Sequence, residues 1–215
     1  MTKPGRGAII PPVHRVAGSF SWPFRAPLTR WAVGALCALL LPLLFIPLLG
    51  YAIAATRAAE RNEDPPAWII SRRLLVDGFW AALVVVLTVL PFALVLPWLA
   101  HALHGGLIGT AIALFVLMFF WGLLALLFLP HATAAFAASG RPVDMFNFAA
   151  SPRRVRDDFA TWNVVVAAIV TGWAVGLACA ALVCVGVVPG IFYAILVSAH
   201  ATAALDRQGA HLPAR

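Results

Sequence analysis

The amino-acid sequence predicts an all-α fold: a polytopic transmembrane helical bundle with four clear crossings in two hairpins, plus a proline-broken first segment. Three observations carry this. Hydrophobic residues make up 63% of the 215 residues and charged residues only 11%, whereas a soluble domain carries about 25% charge. So few charges cannot cover a water-facing globule of this size, so hydrocarbon must supply part of the surroundings; the mean hydropathy of +0.95 agrees. Four long apolar stretches, 31–55, 79–100, 107–129 and 162–204, reach or exceed the roughly 20 residues a helix needs to cross a membrane. Finally, all 15 Lys and Arg fall before residue 31, within 57–73, within 141–156 or after 206.

Residues 1–30 form a basic tail interrupted by proline and glycine. They contain no apolar run of signal-peptide length, so insertion is expected to be driven by internal segments. The segment 31–55 poses a conflict. One straight crossing would strand the five positive charges of the tail on the outer side. A dip that enters at Trp31 and returns after Pro47 would keep both flanks on one side. Two full crossings are out of reach, because 25 residues extend only about 38 Å as helix. Charge favours re-entry.

The stretches 79–100 and 107–129 fit one crossing each, as helices, because lipid leaves an open strand no partners. The connection "WLAHALHGG" at 98–106 has no Lys or Arg, which marks the outer turn of a hairpin. The last stretch is twice as long as one crossing needs. "VPG" at 188–190 divides it into helices expected at 159–187 and 189–205. On this layout loops 56–76 and 138–158 and the C-terminus are cytoplasmic, 31–205 is one membrane domain, and 206–215 is a tail.

The chain also writes one phrase twice. "WAVGALCALLLPLLFIPLLGYAI" at 31–53 and "WAVGLACAALVCVGVVPGIFYAI" at 173–195 agree at 11 of 23 positions with a constant offset of 142. The informative pairs are Trp31/Trp173, Cys37/Cys179, Pro47/Pro189 and Tyr51/Tyr193. An internal repeat or convergence on one packing geometry would produce them. Gly34 and Gly176 would let helices approach closely, and the tyrosines would anchor where the ring meets both lipid and a polar partner. Broken segments at matching positions also point to a transporter site, so Pro47 and Pro189 are candidate lining residues for apolar or lipid-like cargo. No Asp, Glu, Lys or Arg lies inside the four stretches, which argues against a proton-coupled pump.

Beyond Tyr51, "AIAATRAAERNEDPP" extends a helix to a stop at the paired prolines, with Arg57, Glu60 and Arg61 on neighbouring turns. In "SGRPVDMFNFAASPRRVRDDF" at 139–159, Phe146 and Phe148 are expected to seat at the interface. Ser151 should cap an amphipathic turn, and Arg153, Arg154 and Arg156 should meet anionic headgroups, each worth about 1 kcal/mol. The net charge of +7 reads as positive-inside bias and not as a nucleic-acid footprint. Cys37, Cys179 and Cys184 all sit in apolar runs and read as small buried hydrophobes. His101 and His104 would share a helical face as a two-point metal site without a third ligand, so no metal or cofactor is expected. Asp77, read as a helix-start residue, would form an acid–base set with His131 and His200 if the three approached. No P-loop, dinucleotide fingerprint or Ser-His-Asp spacing is present.

The order of motifs resembles a family of small prokaryotic multi-pass membrane proteins, domain of unknown function 4013, from about residue 19 to 205. The resemblance rests on "WPFRAP" at 22–27, "GY" at 50–51 followed by Arg57, "EDPPAW" at 63–68, "LLVDGFWAALV" at 74–84 and "VPGIFYAILVSAH" at 188–200. It implies an inner or plasma membrane location in a prokaryote and brings no catalytic residues. The expected function is that of a non-enzymatic accessory or scaffold subunit, bound to a membrane protein partner or to its own copies. A small uncoupled carrier is the alternative, and an intramembrane enzyme using Asp77, His131 and His200 comes third.

Overall fold

The computed structural model describes residues 16–182 and 187–209; the side chains of 41–43, 180–182, 187 and 206–209 lie outside that description. The expected tails at 1–15 and 210–215, and Cys184, also fall outside it. All regular elements among the described residues are helical. Two 3₁₀ turns, Gly18–Phe20 and Trp22–Arg25, lead into α1 (Leu28–Leu39) and α2 (Leu41–Glu60). After an irregular stretch come α3 (Arg72–Ala102) and α4 (Gly106–Ser139). The short helices α5 (Pro142–Met145) and α6 (Ser151–Asp157) precede α7 (Phe159–Leu182) and α8 (Val187–Gly209). Among the described residues four helical stretches are long and apolar enough to cross a membrane: Arg72–Ala102, Gly106–Ser139, Phe159–Cys179 and Val188–Leu205.

The break in the first segment is not where proline placed it. The sequence puts the return after Pro47, whereas the helix breaks at Leu40 (φ −89°, ψ 25°) and again at Leu44 (φ −107°, ψ 21°). Proline disrupts a helix by lacking the amide that reaches back four residues, here to Leu43. The kink at Leu44 already separates those two positions, so Pro47 occupies the first turn of the resumed helix and sacrifices no bond. Pro189 is the third described residue of α8. The helix expected at 159–187 is described as far as Leu182, and the one expected from 189 is present in α8.

The two flanks of the first segment come together. Arg30 Nη1 donates to Pro65 O, and Trp22 Nε1 donates to Glu63 O at 3.0 Å. The start of α1 therefore lies beside the chain that leaves α2. α1, at 12 residues, is about 18 Å long, too short to cross.

α3 begins seven residues before the apolar run that announced it. Ser71 caps it, its Oγ accepting from Leu74 N at 3.1 Å, so Asp77 is a second-turn residue and not the helix-start residue expected. At the α3–α4 turn, His104, Gly105 and Gly106 have φ of 72°, 63° and 69°. That left-handed run puts His104 outside the helix, so His101 and His104 do not share a helical face. α4 stops at left-handed Gly140 (φ 68°). Two loop expectations also change. Ser151 does not cap α6; its Oγ donates across to Phe128 O at 3.5 Å. Phe146 and Phe148 pack edge-on against Trp80 and Phe128 (centroids 6.1 Å apart in each pair) and so turn toward the bundle.

α8 organises the assembly. It packs against α7, α2, α1, α4 and the N-terminal turns, and 56% of its spanning window is buried against 6% for α4. Glycine sets the close approaches. A Cβ on Gly176 would stand 2.5 Å from Gly190 O, one on Gly34 would enter the Phe192 ring, and one on Gly78 would meet Ile46 O. The α2–α3 crossing at Gly78 is thus backbone on backbone. Gly78→Ala should destabilise the protein by about 1–3 kcal/mol through overpacking, seen as a lower melting temperature in detergent. Gly122→Ala, where nothing lies within 4 Å, should change it by less than about 0.5 kcal/mol.

Candidate functional site

Three of the residues singled out in the sequence, Tyr51, Arg57 and Asp77, fall in two adjoining clusters around α2. The first is ionic. Arg57, near the end of α2, points its guanidinium at α3 and α4, where Nη1 donates to Asp77 Oδ2 at 2.5 Å and Nε donates to Ala137 O at 2.8 Å. Ala137 lies in the last turn of α4, whose carbonyls have no helical partner, so a cation there is favoured twice over. The Phe136 ring lies beneath, 5.9 Å from the guanidinium carbon. Arg73, one turn before Asp77 and largely exposed, stands 3.9 Å from the same Oδ2. Arg57 and Asp77 side chains are only 10% and 9% exposed. Two charges out of water survive together because each satisfies the other.

The second cluster is aromatic. Tyr51, fully buried, stacks flat on Trp68 with centroids 4.0 Å apart and planes within 3°. Phe192 of α8 joins from below, with Trp31 edge-on to it at 5.3 Å and 86°. Tyr51 OH donates to Pro66 O at 3.1 Å, and Trp31 Nε1 to Pro23 O at 3.0 Å. With Trp22 on Glu63 O and Arg30 on Pro65 O, the "WPFRAP" and "EDPPAW" stretches are clasped to each other.

His131 and His200 do not join Asp77 in these contacts. His200 Nδ1 lies 2.8 Å from Ser19 Oγ and its ring sits 5.1 Å from that of Trp22. His131 is buried on α4, within electrostatic reach of Arg154 and Asp158. Asp77 instead belongs to Arg57, a pairing across 20 residues that no spacing rule announced. Tyr193, matching Tyr51, donates to Phe20 O at 3.2 Å. Of the expected headgroup arginines, Arg153, Arg154 and Arg156 are exposed, with Arg156 3.9 Å from Asp157. Cys179 is exposed and Cys37 half-buried, so neither is the fully buried hydrophobe expected.

The ion pair makes a sharp stability prediction. Arg57→Met or Asp77→Leu alone should cost about 3–5 kcal/mol, because each strands a buried charge. The double replacement should cost less than either single one. Melting temperatures of the four proteins in one detergent form the cycle, and additive losses would show that the two side chains are not coupled.

The family described as protein of unknown function, DUF4013, matches residues 33–197. That stretch holds α2, α3, α4, the Arg57–Asp77 pair and the Tyr51–Trp68 stack. No curated protein and no solved structure matches the chain. The match covers well over half of the residues, and the chain is a multi-pass membrane protein that belongs to the DUF4013 family.

Proposed function

We propose that this protein is a non-enzymatic accessory or scaffold subunit that binds a membrane protein partner, or its own copies, in the inner or plasma membrane of a prokaryote. The observation that carries the reading is how its chemically capable side chains are spent. Arg57 and Asp77 neutralise each other, while Trp22, Arg30, Trp31 and Tyr51 donate to backbone carbonyls of the chain itself. Such groups build a shape and leave little for turnover. Asp77, His131 and His200 have separate neighbours, which weighs against the enzyme reading.

The carrier reading, with Pro47 and Pro189 lining a site, has less support. Beside Pro189 the Gly176 and Gly190 backbones touch, and beside Pro47 Leu48 is buried while Ile46 O lies on Gly78. The first segment re-enters on the side it came from in this proposal, because its flanks are tied at Arg30 and Pro65. Basic loops then face the cytoplasm by the positive-inside bias. The twin phrases are taken as an internal repeat, since in each a proline precedes by four residues a tyrosine whose hydroxyl donates to a carbonyl outside α-helix.

Purification in mild detergent after in-cell crosslinking should return one defined stoichiometric complex, hetero- or homo-oligomeric. A lone monomer in repeated preparations would remove the scaffold reading. For orientation, Asn147→Cys in a cysteine-free background should react with an impermeant maleimide only after cells are opened. Labelling of intact cells would invert the layout.

A further inference from the structure

The two clasped stretches carry a surface that the ion pair and aromatic cluster do not use. Each turns a tryptophan inward, Trp22 and Trp68, and large apolar side chains outward. Phe24 is 71% exposed, Leu28 84%, Ile69 67% and Ile70 72%. These are among the most exposed large hydrophobic side chains of the chain, and full exposure of such groups to water forgoes about 1.5–3 kcal/mol each. They are held in place, because Trp22 to Glu63 O, Arg30 to Pro65 O and Tyr51 to Pro66 O fix the two stretches to each other and to α2.

Charge and continuity identify what covers them. Arg25 adjoins Phe24, and Arg72 and Arg73 follow Ile70 after the single residue Ser71; all three arginines are exposed. Glu63 and Asp64 lie at the far end of the second stretch, before the two prolines. The apolar surface does not stop at the loops. It runs on into the exposed Val33, Leu36 and Leu39 of α1 and Leu75, Val76 and Phe79 of α3. α3 is a spanning helix, so its outward face is a lipid face. A patch continuous with that face and edged by arginine has the composition of an interfacial anchor on an anionic bilayer.

We infer that the clasped stretches 22–30 and 63–73 form an interfacial platform, with Phe24, Leu28, Ile69 and Ile70 immersed at the acyl boundary and Arg25 and Arg72 binding anionic phospholipid headgroups. This surface is separate from the 153–156 arginines and holds whether or not a protein partner is found. Spin labels at Phe24→Cys and Ile70→Cys, in full-length cysteine-free protein reconstituted into nanodiscs containing phosphatidylglycerol, test immersion. Relaxation by oxygen should exceed relaxation by an aqueous nickel chelate at both sites. Preferential relaxation by the chelate places them in water and overturns the inference. Exclusion of both reagents places a protein surface there, which overturns it equally.

The charge arm uses Arg25→Gln with Arg72→Gln, which leaves Arg73 beside Asp77. Native mass spectrometry of detergent-extracted protein should show at least a threefold loss of retained phosphatidylglycerol with phosphatidylcholine retention unchanged. Equal retention of phosphatidylglycerol by wild type and variant would remove the headgroup assignment. An unchanged melting temperature in the double variant separates lost lipid contact from lost fold.

Discussion

Hydrocarbon offers no hydrogen-bond partner, and that constraint explains most of the long-range contacts in this protein. A straight helix pairs its own backbone. Each proline, kink or helix end frees a carbonyl, and in lipid the protein itself must supply the donor. The donors here are mostly tryptophan and tyrosine, whose rings are apolar and whose single N–H or O–H is polar. Pro130 cannot reach back to Leu126 O, and Trp162 Nε1 donates to that oxygen at 3.2 Å. Trp121 Nε1 meets Thr88 O, just ahead of Pro91, at 2.5 Å. The carbonyls of Pro23, Glu63, Pro65 and Pro66, all outside α-helix, are met by Trp31, Trp22, Arg30 and Tyr51. Tryptophan thus ties elements together at several of the points where the helical ladder is interrupted.

Arg57 extends the same rule to a charge. The carbonyl of Ala137 is an orphan of the α4 terminus, and a guanidinium is the strongest donor available to it. Bringing that cation inside requires an anion, and Asp77 sits on the one neighbouring helix whose second turn faces the gap. Gly78, the next residue, lets α3 approach α2 closely enough for the pair to form. "DG" in "LLVDGFWAALV" is therefore one device: the carboxylate answers Arg57 and the glycine sets the distance.

Much of the architecture was legible in the sequence because hydropathy and charge report solvent directly. The four spans and the hairpin turn near 101–106 follow from runs of apolar residues and their punctuation. Break positions were less legible. Proline marks where an amide is missing and says nothing of whether that amide was needed, so Pro47 was read as the break although it lies in the first turn after Leu44. The candidate site was hardest. Arg57 reads locally with Glu60 and Arg61, and Asp77 reads as a helix start; only packing of α2, α3 and α4 shows that they answer each other across 20 positions. The inward turn of Phe146 and Phe148 was hidden for the same reason, since an aromatic between polar neighbours looks interfacial until Trp80 and Phe128 are found beside it.

The twin phrase acquires a physical meaning from the same rule, independent of its ancestry. In both phrases a tyrosine follows a proline by four residues, one helical turn on and on the same face. Tyr51 OH donates to Pro66 O and Tyr193 OH to Phe20 O, so each tyrosine pins a stretch outside α-helix to its own helix. The two phrases differ in what they meet. Tyr51 is sealed under Trp68, while Tyr193 remains half-exposed beside Phe24; Trp31 packs on Phe192, while Trp173 faces outward. What they share is one solution to a recurrent problem, how a helix in lipid holds an irregular segment against itself: a ring that packs among apolar groups and a single hydroxyl that reaches the segment's carbonyl.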